Sequence, residues 1–115
     1  MISQIDDRKF SVNTMRLGDQ TNYPKKGNTL KVHYEGYYPD GTKFISSRDV
    51  GEPFEFTLGR NEVIQGWDEA LLMMSLGEKA RVICPSQYSY GRKGFAGVMN
   101  ANQNCIFDVE LLSFN

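Results

Sequence analysis

The stretch Glu62-Val63-Ile64-Gln65-Gly66-Trp67 constrains this fold most, because it leads into the one run with convincing helical periodicity. Trp67, Ala70, Leu71 and Met74 recur at spacings of three and four residues, which makes a single apolar helical face. The spacing predicts a helix from about Gln65 to Met74. Asp68 and Glu69 fall in its first turn, where acids suit the helix dipole, and Gly77 lies just past its end as a C′ residue. Gly66 in that first turn costs helix propensity, so the backbone there needs room for something. Trp67 is large, rigid and apolar, with one N–H that needs a partner when buried. It is either the core's largest filler or the floor of a pocket, and composition alone favours the filler.

What surrounds the helix reads as strands. Leu30–Tyr38 alternates most clearly, with Leu30, Val32 and Tyr34 facing one way and Lys31, His33 and Glu35 the other. That is the pattern of a sheet with one wet face, on which His33 is expected to be solvated. Pro39-Asp40-Gly41-Thr42 carries tight-turn residues and predicts that Lys43–Ser46 pairs back on the preceding strand. Residues 47–53 are polar and bounded by Gly51 and Pro53, so they read as a loop. Phe54, Phe56 and Leu58 alternate with Glu55 and Thr57. Lys79–Cys84 alternates again before Pro85, and Cys105–Phe114 places Phe107, Val109 and Leu111 inward with Asp108 and Glu110 outward. Phe10–Leu17 has weaker strand character and stops at Gly18-Asp19. Tyr88–Gln103 is longer than an ordinary connection, yet it carries Tyr88, Tyr90, Phe95, Val98 and Met99, which marks it as functional rather than disordered. The expected architecture is α+β: five or six antiparallel strands in a half-barrel wrapped around one short helix.

Composition narrows the function. A chain of 115 residues makes one domain, read here as 10–115 behind a polar arm of residues 1–9. Thirteen basic and fourteen acidic residues nearly cancel with no basic stripe, so no nucleic acid is expected as partner. No apolar run approaches the length of a spanning helix and the first ten residues lack a signal-peptide centre, so no membrane association is expected. Cys84 and Cys105 lack any metal-ligand spacing, and no metal or cofactor is expected. They read as buried thiols of a reducing cytoplasm or nucleus, with a disulfide between neighbouring strands as the alternative. Nucleophile elbow, zinc-binding and phosphate-loop motifs are absent, and a single histidine cannot complete a triad. An enzyme on this chain needs chemistry without a strong acid, base, nucleophile or metal. What remains is aromatic and aliphatic surface.

Eight short motifs then stand together in order and spacing. They are Val32-His33-Tyr34-Glu35-Gly36, Asp40-Gly41-Thr42-Lys43-Phe44, Ser46-Ser47-Arg48, Pro53-Phe54-Glu55-Phe56, Leu58-Gly59, Val63-Ile64-Gln65-Gly66-Trp67, Tyr88-Ser89-Tyr90-Gly91 and Phe107-Asp108-Val109-Glu110-Leu111-Leu112. In register from about Phe10 to the C-terminus, the chain resembles the FKBP family of peptidyl-prolyl cis/trans isomerases. The resemblance implies a monomeric isomerase of Xaa-Pro bonds in proline-containing peptides and proteins, active in protein folding. It makes Trp67 the pocket floor and Tyr34, Phe44, Phe54, Val63, Ile64, Tyr90 and Phe107 the walls. The Ile64 N–H and the Tyr90 hydroxyl would bind ligand carbonyls, Glu62 and Ile45 would line the ligand, and Phe95, Val98 and Met99 would form a flap. Tyr34, Phe44, Ile64, Trp67, Tyr90 and Phe107 would carry catalysis.

Two positions depart from the family's pattern. Ile45 stands where the family typically has aspartate, and Val50 where it often has that aspartate's arginine partner. Replacing both charges with apolar residues is often neutral, whereas losing one is costly, so the pair reads as a coherent repacking. It implies weakened binding of macrolides such as tacrolimus and rapamycin, and a Tyr34 hydroxyl deprived of a partner. Asn100-Ala101 replaces a frequent Pro-Pro pair and Phe95 a common histidine, which changes the flap. The alternative reading is a non-catalytic binding module of the same fold that recruits protein partners.

Overall fold

Alternating side chains become strands wherever one face has a core to meet. In the computed structural model, which describes residues 9–60, 62–88 and 104–115, these runs form β1 (Ser11–Arg16), β2 (Thr29–Tyr37), β3 (Lys43–Ser46), β4 (Phe54–Thr57), β5 (Lys79–Cys84) and β6 (Cys105–Phe114). All pairings are antiparallel, in the order β1-β5-β6-β2-β3. β4 shares an edge with β3: it pairs with Thr29–Val32 of β2, and β3 pairs with Glu35–Tyr37 further along. The expected α+β sheet around one helix is what the chain forms.

Between β3 and β4 the expected loop contains a helical turn, α1 (Ser47–Val50). Ser46 caps it by accepting the Arg48 and Asp49 N–H groups at 3.2 and 3.3 Å, and Gly51 closes it at φ 98°. The sequence signal was present as Ser46-x-x-Asp49, an N-cap followed by an acid three residues on. One turn is too short for periodicity to show.

The main helix, α2 (Gln65–Leu71), ends three residues before the expected Met74. Met73 and Met74 donate to the carbonyls of Ala70 and Leu71 at 2.9 and 3.3 Å, three residues back, so the last turn tightens while Met74 stays wholly buried. Leu72 is the C-cap, and Gly77 is not the helix's C′ residue. Its left-handed φ of 87° serves the turn into β5 instead.

The inward side chains of the sheet, Leu30, Val32, Ala80, Val82, Cys84, Cys105, Phe107, Val109 and Leu111, meet Trp67, Ala70, Leu71 and Met74 of the helix segment in one core. The opposite face is not uniformly wet. Ile83 and Ile106, paired across β5 and β6, are fully buried there, and Asp108 is 6% exposed beneath a two-bond contact with Arg81 at 2.7 and 2.9 Å. Glu110 takes Arg16 and Arg48 at 2.5 and 2.6 Å. Long cationic side chains thus lie over this face, and alternation alone does not reveal such cover. His33 is half-buried rather than solvated: its Nδ1 lies 2.9 Å from Ser47 Oγ, which also accepts the Tyr34 N–H at 2.8 Å.

Gly66 seats the helix. A Cβ built there would stand 2.5 Å from Cys84 Sγ and 3.1 Å from the Tyr88 carbonyl oxygen, so the helix approaches β5 more closely than any side chain permits. Gly66→Ala is therefore expected to destabilise the fold by about 1–3 kcal/mol through overpacking. Urea unfolding checks this, and an unchanged midpoint would mean that the Cys84 sulfur turns aside without cost.

Candidate functional site

The residues that line the candidate site come from five places on the fold. β2 supplies Tyr34, the end of β3 supplies Phe44 and Ile45, and β4 supplies Phe54. The α2 segment supplies Val63 and Ile64 just before the helix and Trp67 within it, and β6 supplies Phe107. Trp67 is 5% exposed and lies in the core, ringed by aromatic neighbours. Tyr34 stands 5.0 Å from it at 68°, Phe107 at 5.4 Å and 87°, and Phe54 at 6.2 Å and 73°. Phe44 extends the cluster, 6.0 Å from Phe107 at 75°. Edge-to-face arrangements like these are favoured by the ring quadrupoles and are worth about 0.5–1.5 kcal/mol per pair beyond burial.

Gly36 explains how the walls close. A Cβ there would lie 2.8 Å from Ile45 Cγ2 and 2.9 Å from both the Phe44 and Phe107 rings. Only a bare backbone on β2 lets those three side chains meet. Phe54 remains 38% exposed and forms the rim, while Tyr34, Phe44, Ile45, Val63 and Ile64 are half-buried and packed on the core.

Polar groups are few and unsatisfied. The Trp67 indole N–H is buried with no hydrogen-bond partner among the described residues. Such a group costs about 1–3 kcal/mol when left unpaired. Ile64 is the N-cap of α2 with no side-chain cap, and its N–H has no acceptor among the described residues. The Tyr34 hydroxyl likewise has no protein partner among them, and burial pushes its phenol above the ordinary value. Donors without acceptors beside an apolar cluster suit a ligand that brings carbonyl oxygens.

The sequence reading is met unevenly. Tyr34, Phe44, Ile45, Phe54, Val63, Ile64, Trp67 and Phe107 come together. Glu62 is exposed, and its carboxylate accepts the Thr57 N–H at 2.9 Å, which holds the turn before α2 instead of lining the cluster. Asp68 acts in the same way on the Gly59 N–H at 2.9 Å. Tyr90, Phe95, Val98 and Met99, with the whole expected flap, lie outside the described residues. Val50 is 70% exposed while Ile45 packs inward, so the two replacements do not repack against one another. Sequence reasoning missed Tyr38 and Phe56. Tyr38 lies 4.8 Å from Phe44 with the rings tilted by 30°, and Phe56 lies 6.1 Å from Trp67. Period two already placed Tyr38 on the face of Tyr34 and Gly36.

Similarity to known proteins agrees with this geometry. The family described as FKBP-type peptidyl-prolyl cis-trans isomerase matches residues 20–112. The peptidyl-prolyl cis-trans isomerase Fkbp12 of Drosophila melanogaster is 52% identical over 95 residues, covering 83% of this chain and 88% of that protein. FK506-binding protein 1 of Kluyveromyces lactis is 47% identical over 107 residues, covering 91% and 94%. FK506-binding protein 1 of Saccharomyces cerevisiae is 40% identical over 114 residues, covering 99% and 100%. A match of that extent, on an antiparallel sheet whose main helix brings a tryptophan to an aromatic cluster, makes the chain a member of the FKBP-type peptidyl-prolyl cis-trans isomerases and an isomerase of Xaa-Pro bonds.

Proposed function

We propose that the prolyl ring of a peptide or protein substrate enters the cluster over Trp67, and that Tyr34, Phe44, Ile64 and Phe107 act there on the twisting amide. The observation that carries this reading is the ring of edge-on aromatic side chains around Trp67, flanked by donors that lack acceptors. Rotation about a prolyl amide is slow because resonance must be broken, against a barrier of about 18–20 kcal/mol. The twisted amide is less charge-separated than the planar one. A water-poor apolar site therefore disfavours the planar form more than the twisted form. The Ile64 N–H supplies a donor for a flanking carbonyl, which holds the substrate chain while the prolyl side turns. No proton moves, so no acid or base is required. Each tenfold in rate needs only about 1.4 kcal/mol of preference for the twisted form. Proline-containing segments with an apolar residue before proline suit the apolar walls. We place the protein as a monomer in a reducing compartment, cytoplasmic or nuclear, which fits its buried, unbridged Cys84 and Cys105.

Trp67→Ala removes the centre of the cluster and is expected to lower kcat/KM for an Ala-Leu-Pro-Phe peptide by at least about tenfold, equivalent to about 1.4 kcal/mol of transition-state binding. Exchange measured by NMR on protein confirmed as folded checks it. Undiminished exchange would move catalysis away from this cluster, and a wild-type protein that binds the peptide without speeding exchange would favour a recruiting module.

Because no proton moves, kcat/KM is expected to stay flat from about pH 6 to 9. Burial raises the Tyr34 phenol from the ordinary value of about 10, so it remains neutral throughout that range. A bell-shaped profile would require an acid or base that this site does not hold.

Macrolide affinity is expected to be low for want of an acceptor at Ile45. Ile45→Asp should raise affinity for tacrolimus about ten- to a hundred-fold, the worth of one charge-assisted hydrogen bond. It should also lower stability, since Ile45 packs on the core and the exposed Val50 offers no counter-charge. Calorimetry on the variant reads both, and unchanged affinity would show that the ligand does not reach this position.

A further inference from the structure

Two thiols remain that the isomerase chemistry does not use. Cys84, the last residue of β5, and Cys105, the first of β6, are directly opposed in the antiparallel ladder and are both fully buried on the helix-facing side. Opposed residues in such a ladder have Cα atoms roughly 4.5–5.5 Å apart, inside the roughly 4.4–6.8 Å that disulfides span. Their Cβ atoms stand about 4.5–5.5 Å apart, and a disulfide needs about 3.5–4.5 Å. Closing a bridge therefore draws the two strand ends together.

That movement reaches the cluster by two short routes. Cys84 Sγ is the atom on which Gly66 rests, immediately before Trp67. Cys105 lies two residues before Phe107, whose ring meets Trp67 edge-on at 5.4 Å. We propose that Cys84 and Cys105 form a redox-sensitive pair, whose oxidation to a disulfide unseats α2 and lowers isomerase activity. The effect on activity rests on the placement of catalysis at Trp67 and Phe107.

The oxidant is a hydroperoxide such as hydrogen peroxide. One thiolate attacks a peroxide oxygen, the O–O bond breaks, and hydroxide leaves to become water, giving a sulfenic acid. The second sulfur attacks the sulfenic sulfur, the S–S bond forms, the S–O bond breaks and a second water leaves. Two thiols lose two protons and two electrons, and one peroxide becomes two waters. Burial, and after it the neighbouring Cys105, holds the Cys84 thiol well above its ordinary value. The reaction consequently waits on opening of the strand ends, and it quickens with pH.

The full chain is exposed to hydrogen peroxide and then to dithiothreitol, beside Cys105→Val and the smaller Cys105→Ala as controls for methionine oxidation. Three readings are taken: intact mass, emission of Trp67 (the chain's one tryptophan) and peptide exchange. The expected result is a monomer lighter by about 2 Da, shifted emission and an about threefold or greater loss of kcat/KM. All three should reverse on reduction and be absent from both variants. Thiols that survive prolonged peroxide in the folded protein, or a bridge that leaves emission and activity unchanged, would overturn the proposal. A bridge that shifts emission without changing activity also overturns the switch, and it locates the fault in the assignment of catalysis to Trp67, which the Trp67→Ala measurement tests separately.

Discussion

The close contact between Gly66 and Cys84 Sγ is the constraint on which the rest depends. A helix of seven residues has almost no stability of its own, since nucleation is costly and propagation brief. α2 persists because one face is pressed into the sheet, and glycine at its second position allows that approach. Once the helix sits there, Trp67 has no direction but inward, among Tyr34, Phe54 and Phe107. In the proposed function, a side chain that holds the helix by burial is thus also the centre of the site. Of filler and pocket floor, which the sequence left as alternatives, the packing shows the first, and the proposed function adds the second to the same residue.

That double role has a visible cost. A core chosen for stability alone would place phenylalanine or leucine where an indole N–H finds no acceptor. The uncapped start of α2 is a second departure, since Ser, Asp or Asn at position 64 would satisfy a helix N–H that isoleucine cannot. Both losses fall at the same edge of the cluster. Local rules broken together at one place, in a chain that keeps them elsewhere, are what a site held ready for a ligand looks like.

Much of the fold was legible because period two is a strong signal when one face meets a core. Lys43–Ser46, Lys79–Cys84 and Cys105–Phe114 form strands with the bounds their alternation predicts. What was not legible depends on partners distant in sequence. Asp108 and His33 read as solvated from their own strands, but Arg81 and Ser47 meet them across neighbouring elements. The motifs in register named side chains that the fold gathers around Trp67. The use of Glu62 was not, because a carboxylate bound to the Thr57 N–H is a fact of loop geometry that no motif encodes.

The fates of Ile45 and Val50 show why a substitution read in pairs can still divide in space. In sequence terms, two charges vanish together and leave no stranded partner, which is the neutral route. In the fold, Ile45 turns inward beside Gly36 while Val50 stands in solvent, so each faces a different requirement. Val50 needs only to avoid harm. Ile45 must fill a wall between Phe44 and Phe107, and an aliphatic side chain does this without the desolvation that a carboxylate incurs. The site therefore gains apolar contact and loses an acceptor in the same step. Under the proposed mechanism that exchange favours the twisted form and removes nothing amide rotation uses. For a ligand whose hold depends on donating to a carboxylate, the Ile45 side chain offers no acceptor.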